Sequence, residues 1–156
     1  MRVWRMVAAA HARRSMTGDG AAMYGGRWNP VGRRMVYTAD SLALATLELS
    51  VHLVGARVKY TAIEVDVPDH RIDWLEPAGL KRAWATDAAA TARVGEAWAV
   101  SGRSLALAVP SALVHPDSGE RNILLNPEHP AAAMLIEVQR LDVTLDERIS
   151  RGGDPN

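Results

Sequence analysis

Cysteine is absent from this chain of 156 residues. That excludes disulfides and thiolate metal sites, and it predicts a reducing, cytoplasmic setting. Net charge is also missing, because 18 basic residues balance 18 acidic ones. A neutral chain with no concentrated basic face is a poor direct binder of DNA or RNA. No apolar run is long enough to span a bilayer, and the start Met1-Arg2-Val3-Trp4-Arg5 does not read as a signal peptide. Neither a Walker-type phosphate loop, nor a dinucleotide fingerprint after a first strand, nor a paired-histidine zinc helix occurs. The five histidines, at positions 11, 52, 70, 115 and 129, lack ligand spacing, so no metal site is expected. Phenylalanine is absent while tryptophan occurs five times, a compositional bias that says little about function.

What is present suits one soluble domain over residues 1–150, with 151–156 a frayed tail. Hydrophobic residues make up 48% and charged residues 23%, enough to form a core without staples. Residues 8–24 are rich in Ala, Gly, Ser and Thr, and 15–20 read as loop. A short strand is predicted over 35–38, then a helix over 41–54 capped by Ser41 and ended by Gly55. Strands follow over 58–67, 104–109, 122–125 and 134–139, with a helix over 87–100 stopped by Gly102 and a short helix near 78–84. That order is mixed α+β, without the regular alternation of a doubly wound sheet. In the 41–54 helix, Leu44, Leu47 and Val51 form one apolar arc and Leu42, Leu49 and Leu53 another. Such a helix is expected to be mostly buried, leaving Glu48 where a carboxylate needs a partner or a cleft.

The segment Tyr24-Gly25-Gly26-Arg27-Trp28-Asn29-Pro30 carries the most information. Its glycines allow close backbone approach to a ligand. The arginine fork matches phosphate geometry. Alternatively, the segment is a surface turn with a solvated Arg27 and a core Trp28. The other candidates are equally double. Tyr37 is a ligand contact or a core residue, and Glu48 is a site carboxylate or the partner of His52 one turn on. Ser111 and Asn126 are site residues or turn chemistry, and Asn122 lies one strand from Asn126.

Taken together, these blocks resemble the RES-domain family, the toxin half of RES–Xre toxin–antitoxin pairs, named for an arginine, a glutamate and a serine. Trp4-Arg5 is similar to its opening, Gly25 to Pro30 with Val36 to Ala39 to its arginine block, and Ser41 through Glu48 to His52 to its glutamate block. Val109-Pro110-Ser111 with Asn122 to Pro127 is similar to its serine block. The matches run in order over residues 4–130, with little signal in 68–103. The resemblance implies an ADP-ribosyltransferase-like fold, two packed, mostly antiparallel sheets around a cleft for NAD⁺. It implies cleavage of the nicotinamide–ribose bond, with inorganic phosphate or water as acceptor. A protein ADP-ribosyltransferase and a non-catalytic nucleotide-binding module are the alternatives. By this resemblance Arg27, Tyr37, Glu48 and Ser111 are catalytic, and Gly26, Arg27, Trp28, Tyr37 and Asn126 hold NAD⁺. Glu48 would stabilise the ribosyl cation, Arg27 would clamp pyrophosphate or the incoming phosphate, Tyr37 would lie on the nicotinamide, and Ser111 would bond the nicotinamide side or the ribose. An Xre-type antitoxin in a hetero-oligomer is the implied partner.

Overall fold

The computed structural model describes residues 1–53, 59–80 and 83–150. Seven strands occur there: β1 (Arg2–Ala8), β2 (Val36–Ala39), β3 (Tyr60–Asp66), β4 (Ile72–Trp74), β5 (Ala106–Pro110), β6 (Arg121–Leu125) and β7 (Ile136–Val143). The α-helices are α1 (Asp19–Tyr24), α2 (Leu42–Ser50), α3 (Ala88–Ser101) and α4 (Glu147–Ser150). The strands form one sheet in the order β4-β5-β6-β2-β1-β3-β7, antiparallel throughout except for β4 beside β5. The architecture is α+β. Pairing joins the two expected sheets into one, but the join is narrow. β1 pairs with β3 along its whole length, from Arg2↔Asp66 to Ala8↔Tyr60, yet it meets β2 only at Trp4↔Ala39. This seam divides the sheet into the halves β4-β5-β6-β2 and β1-β3-β7.

Apolar side chains on the strands account for the core. Val3, Val36, Ile63, Val65, Ile123 and Leu125 form one buried cluster across the sheet. Met35, Leu107, Val109 and Leu124 meet Trp28, Trp84 and Trp98 in a second. Trp98 lies on α3, so this helix closes the second cluster. Asp87 caps α3 by accepting from the Ala90 amide at 2.9 Å, and Gly102 ends it at φ 57°, a left-handed conformation that glycine adopts without a Cβ penalty.

Ser41 caps α2 as its sequence predicts, accepting from the Leu44 amide at 3.1 Å. The helix stops at Ser50, and Gly55, its expected terminator, lies outside the described residues. The expectation of two buried faces is corrected. Leu44 and Ala45 pack on Met6, Ala39, Tyr60 and Ala62, while Leu47 is 39% exposed and Val51 54% exposed. The core therefore takes only Leu44 from the first arc, and Leu42, Leu49 and Leu53 of the second pack half-buried beside it. The loop expected over 15–20 lies between a 3-10 turn at Ala9–Arg14 and the short α1, which takes up its last two residues. The helix expected near 78–84 is reduced to a 3-10 turn at Pro77–Gly79, with 81 and 82 outside the described residues, as is the tail 151–156.

Asp40, between β2 and α2, accepts from the Arg121 amide through Oδ2 at 2.8 Å, and its Oδ1 is buried without a partner. Burial raises its pKa against the opposing Arg121 amide, with help from the Glu120 charge. The folded state therefore holds this proton more tightly than the unfolded chain, and stability falls as pH rises through the folded pKa. Asp40→Asn keeps an acceptor for the Arg121 amide and removes the charge. It is expected to raise the neutral-pH melting temperature and to flatten this part of the pH profile, read by thermal melts at pH 4 and 7.

Candidate functional site

The seam opens into a cavity of about 640 Å³, within the size range of small-molecule sites. Arg5 of β1, Tyr37 of β2, Glu48 of α2, Arg27 of the glycine turn and Asn122 of β6 all line it. Residues scattered over the first 122 positions thus converge on one space. The guanidinium of Arg27 and the carboxylate of Glu48 belong to walls of the same cavity.

Glu48 is held from behind. Ser111 Oγ donates to its Oε1 at 2.7 Å, and Asn122 Nδ2 donates to the same oxygen at 2.5 Å. Oε2 has no partner among the described residues. Two donors on one carboxylate oxygen fix the plane of the group. The alternative pairing with His52 does not form; His52 is exposed at the cavity edge. Ser111 is buried and uses both its capacities, because it also accepts from the Leu113 amide at 3.0 Å. It does not line the cavity, so the expected direct bond to the nicotinamide or ribose is replaced by support of Glu48. Asn122, noted in the sequence only as a neighbour of Asn126, shares that support.

The glycine turn is built around Tyr37. Its hydroxyl donates to Asn29 Oδ1 at 2.7 Å and accepts from the Trp28 amide at 2.9 Å. Burial raises the phenol pKa to about 12, so the hydroxyl stays protonated and its ring is what remains for a ligand. Gly26 is required by proximity: a Cβ there would lie 2.6 Å from the Tyr37 hydroxyl and 2.9 Å from Asn29 Oδ1. Arg27 donates through Nη1 to the Ala85 carbonyl at 2.8 Å and has no carboxylate partner among the described residues. Trp28 is 1% exposed, and its ring lies 6.2 Å from that of Trp84. The indole is principally core and only closes the wall of the cavity.

Asn126 lies elsewhere. Its Nδ2 donates to the Ala99 carbonyl at 3.1 Å, and its Oδ1 accepts from the Glu128 amide at 3.0 Å. Both ends of the amide tie α3 to the turn after β6, so its assignment as an NAD⁺ contact is withdrawn.

Arg5 is the residue that sequence reasoning missed. It projects into the cavity from the strand beside the seam and donates through Nη1 to the Tyr37 carbonyl at 2.6 Å. This side-chain bond bridges β1 and β2 where the ladder lacks further pairing. Its Nε is buried without a partner, and desolvation lowers its pKa to about 10, which leaves it charged at neutral pH. No carboxylate pairs with it among the described residues. A half-buried cation without an acidic partner is costly, which makes Arg5 a candidate for contact with an anion. The signal in the sequence was an arginine inside an apolar strand. No cluster of three or more metal-ligating side chains occurs among the described residues, nor is any helix there long and apolar enough to cross a membrane.

Comparison with known proteins assigns the chain to a family. The RES domain model matches residues 2–146. Toxin Res of Yersinia enterocolitica serotype O:8 / biotype 1B is 36% identical over 154 residues, covering 96% of this chain and 99% of that protein. The Prs ADP-ribosylating toxin of Sphingobium sp. (strain YBL2) is 39% identical over 138 residues, covering 83% and 84%. The M. tuberculosis MbcT–MbcA toxin–antitoxin complex contains a chain that superposes with a TM-score of 0.74 at 23% identity, covering 92% of this chain and 84% of that one; this likeness concerns the fold. With nearly the whole length matched by one family model and by relatives of equal length, the chain belongs to the RES-domain family.

Proposed function

We infer that this chain is the toxin of a toxin–antitoxin pair and that its cavity cleaves the nicotinamide–ribose bond of NAD⁺. The observation that carries the reading is a carboxylate, Glu48, oriented by two donors on one oxygen and turned towards a cavity that also holds two guanidiniums without acidic partners. Nicotinamide departs as a neutral molecule, so no acid is needed to protonate it, and one carboxylate can serve where glycosidases use two. The ribose gains positive charge as the bond lengthens, and an anion already in place stabilises it. The pyrophosphate of NAD⁺ carries two negative charges, which Arg5 and Arg27 match in number. The Tyr37 ring offers a flat apolar surface for the nicotinamide.

Inorganic phosphate or water takes the ribosyl group in this reading. Transfer to a protein side chain is the second reading, favoured by the name of the Sphingobium relative, an ADP-ribosylating toxin. An antitoxin of the Xre type is the proposed partner. Exposed Tyr24, Val51 and Leu113 at the cavity give it an apolar rim to cover.

Incubating the purified protein with NAD⁺ and phosphate, and following products by mass, tests the reading. Free nicotinamide with ADP-ribose 1-phosphate is the expected outcome. Turnover that persists in a phosphate-free buffer identifies water as acceptor, and label on one protein in a lysate identifies the transferase. NAD⁺ left intact at high protein concentration under all three conditions refutes the catalytic assignment.

A further inference from the structure

Helix α3 contributes no side chain with evident chemistry to the cavity, yet two of its residues are unusual for a core helix. Gly95 lies in its interior, where glycine weakens a helix. Thr91 lies one turn earlier, on the same face, with its hydroxyl buried. They address consecutive peptide units of the glycine turn. Thr91 Oγ1 donates to the Arg27 carbonyl at 2.7 Å, closer than its own-helix carbonyls Ala88 at 3.1 Å and Asp87 at 3.3 Å. The backbone at Gly95 comes so near that a Cβ would lie 1.9 Å from the Trp28 carbonyl oxygen. The segment leading into α3 grips the other end of the same residue, since the Ala85 carbonyl accepts from Arg27 Nη1. Main chain and guanidinium of Arg27 are therefore both fixed from residues 85–95.

We propose that Thr91 and Gly95 are positioning residues that set the Arg27 guanidinium over the ligand's phosphates, so that α3 governs substrate affinity without touching substrate. The inference rests on the NAD⁺ reading for its ligand. A helix that served the core alone would pack there with alanine and valine. The bare backbone at 95 brings α3 against the turn, and the hydroxyl at 91 fixes its register along it. Displacing Arg27 by a fraction of an ångström weakens a forked contact, whose strength depends on direction.

The test compares wild type, Thr91→Val, Thr91→Ser, Arg27→Ala and the Thr91→Val/Arg27→Ala double variant, with KM and kcat for NAD⁺ and the melting temperature of each. Thr91→Val is expected to raise KM about tenfold with kcat within about twofold, the pattern of lost ground-state binding. Thr91→Ser, which keeps the hydroxyl, restores wild-type KM. In the Arg27→Ala background Thr91→Val adds nothing further, because its effect runs through that side chain. An unchanged KM in folded Thr91→Val, a serine variant as impaired as the valine one, or an equal effect in both backgrounds overturns the proposal. If Thr91→Val does not fold, Thr91→Ala replaces it in both backgrounds. If wild type leaves NAD⁺ untouched, the NAD⁺ reading fails, and calorimetric titration of the same proteins with inorganic pyrophosphate decides the clamp. A weaker Kd for Thr91→Val only where Arg27 is present supports it; equal affinities, or no binding to wild type, overturn it.

Discussion

Glu48→Gln is expected to lower kcat for NAD⁺ cleavage by about 10²–10³, the usual loss when one preorganised electrostatic group is removed. The substitution isolates charge from shape. A glutamine oxygen can still accept from Ser111 and Asn122, which now donate to Oε1 at 2.7 and 2.5 Å. The side chain therefore stays in place, and the variant should melt within a few degrees of wild type. Turning the amide NH₂ towards the cavity replaces a negative atom by a positive one where ribosyl charge develops. Steady-state rates at saturating NAD⁺, with thermal melts beside them, read both quantities. Full activity in the glutamine variant would show that the carboxylate is a structural anchor for β5 and β6 and nothing more.

Arg5→Met is expected to separate binding from stability. The side chain lies in the cavity wall with Nε unpartnered and a pKa lowered to about 10 by desolvation. That shift corresponds to a penalty on the order of 3 kcal/mol for keeping the charge there. Methionine fills similar volume without the charge, at the loss of the bond to the Tyr37 carbonyl, itself worth about 1.5–3 kcal/mol as a bond from a charged donor. These terms roughly cancel, so the melting temperature should stay near that of wild type or rise. Affinity for NAD⁺, however, should fall by about tenfold to a hundredfold as a charge-assisted phosphate contact is lost. Calorimetric titration and the NAD⁺-induced shift in melting temperature measure it. A variant that melts well below wild type yet binds NAD⁺ equally would assign Arg5 to bridging the seam alone.

Those two residues also mark how far the sequence could be read. Glu48 was legible because a carboxylate between two leucine arcs is an inconsistency with no structural motive. Two members of the first arc, Leu47 and Val51, proved to be exposed while Leu44 is buried, since periodicity reports what could be buried and not what the sheet covers. Helix α3 was legible from its Asp87 cap and its Gly102 stop. β1 was not, although it lies inside the sheet, because Arg2 and Arg5 break up its apolar run. β4 is only three residues long and was read as irregular, whereas β7 was legible in its first half, the strand expected over 134–139 overlapping Ile136–Val143. Trp28 followed its core alternative. Asn126 had both readings open, and the hydrogen bonds of its amide decided for the turn.

The two donors that orient Glu48 follow it in the chain by 63 and 74 residues. Synthesis proceeds from the N-terminus, so a ribosome-bound fragment carries the glutamate and both arginines well before it carries the serine and asparagine that aim the carboxylate. The candidate site is thus complete only after β5 and β6 have emerged and β6 has paired with β2. A stop codon anywhere before position 122 yields a fragment without a complete candidate site.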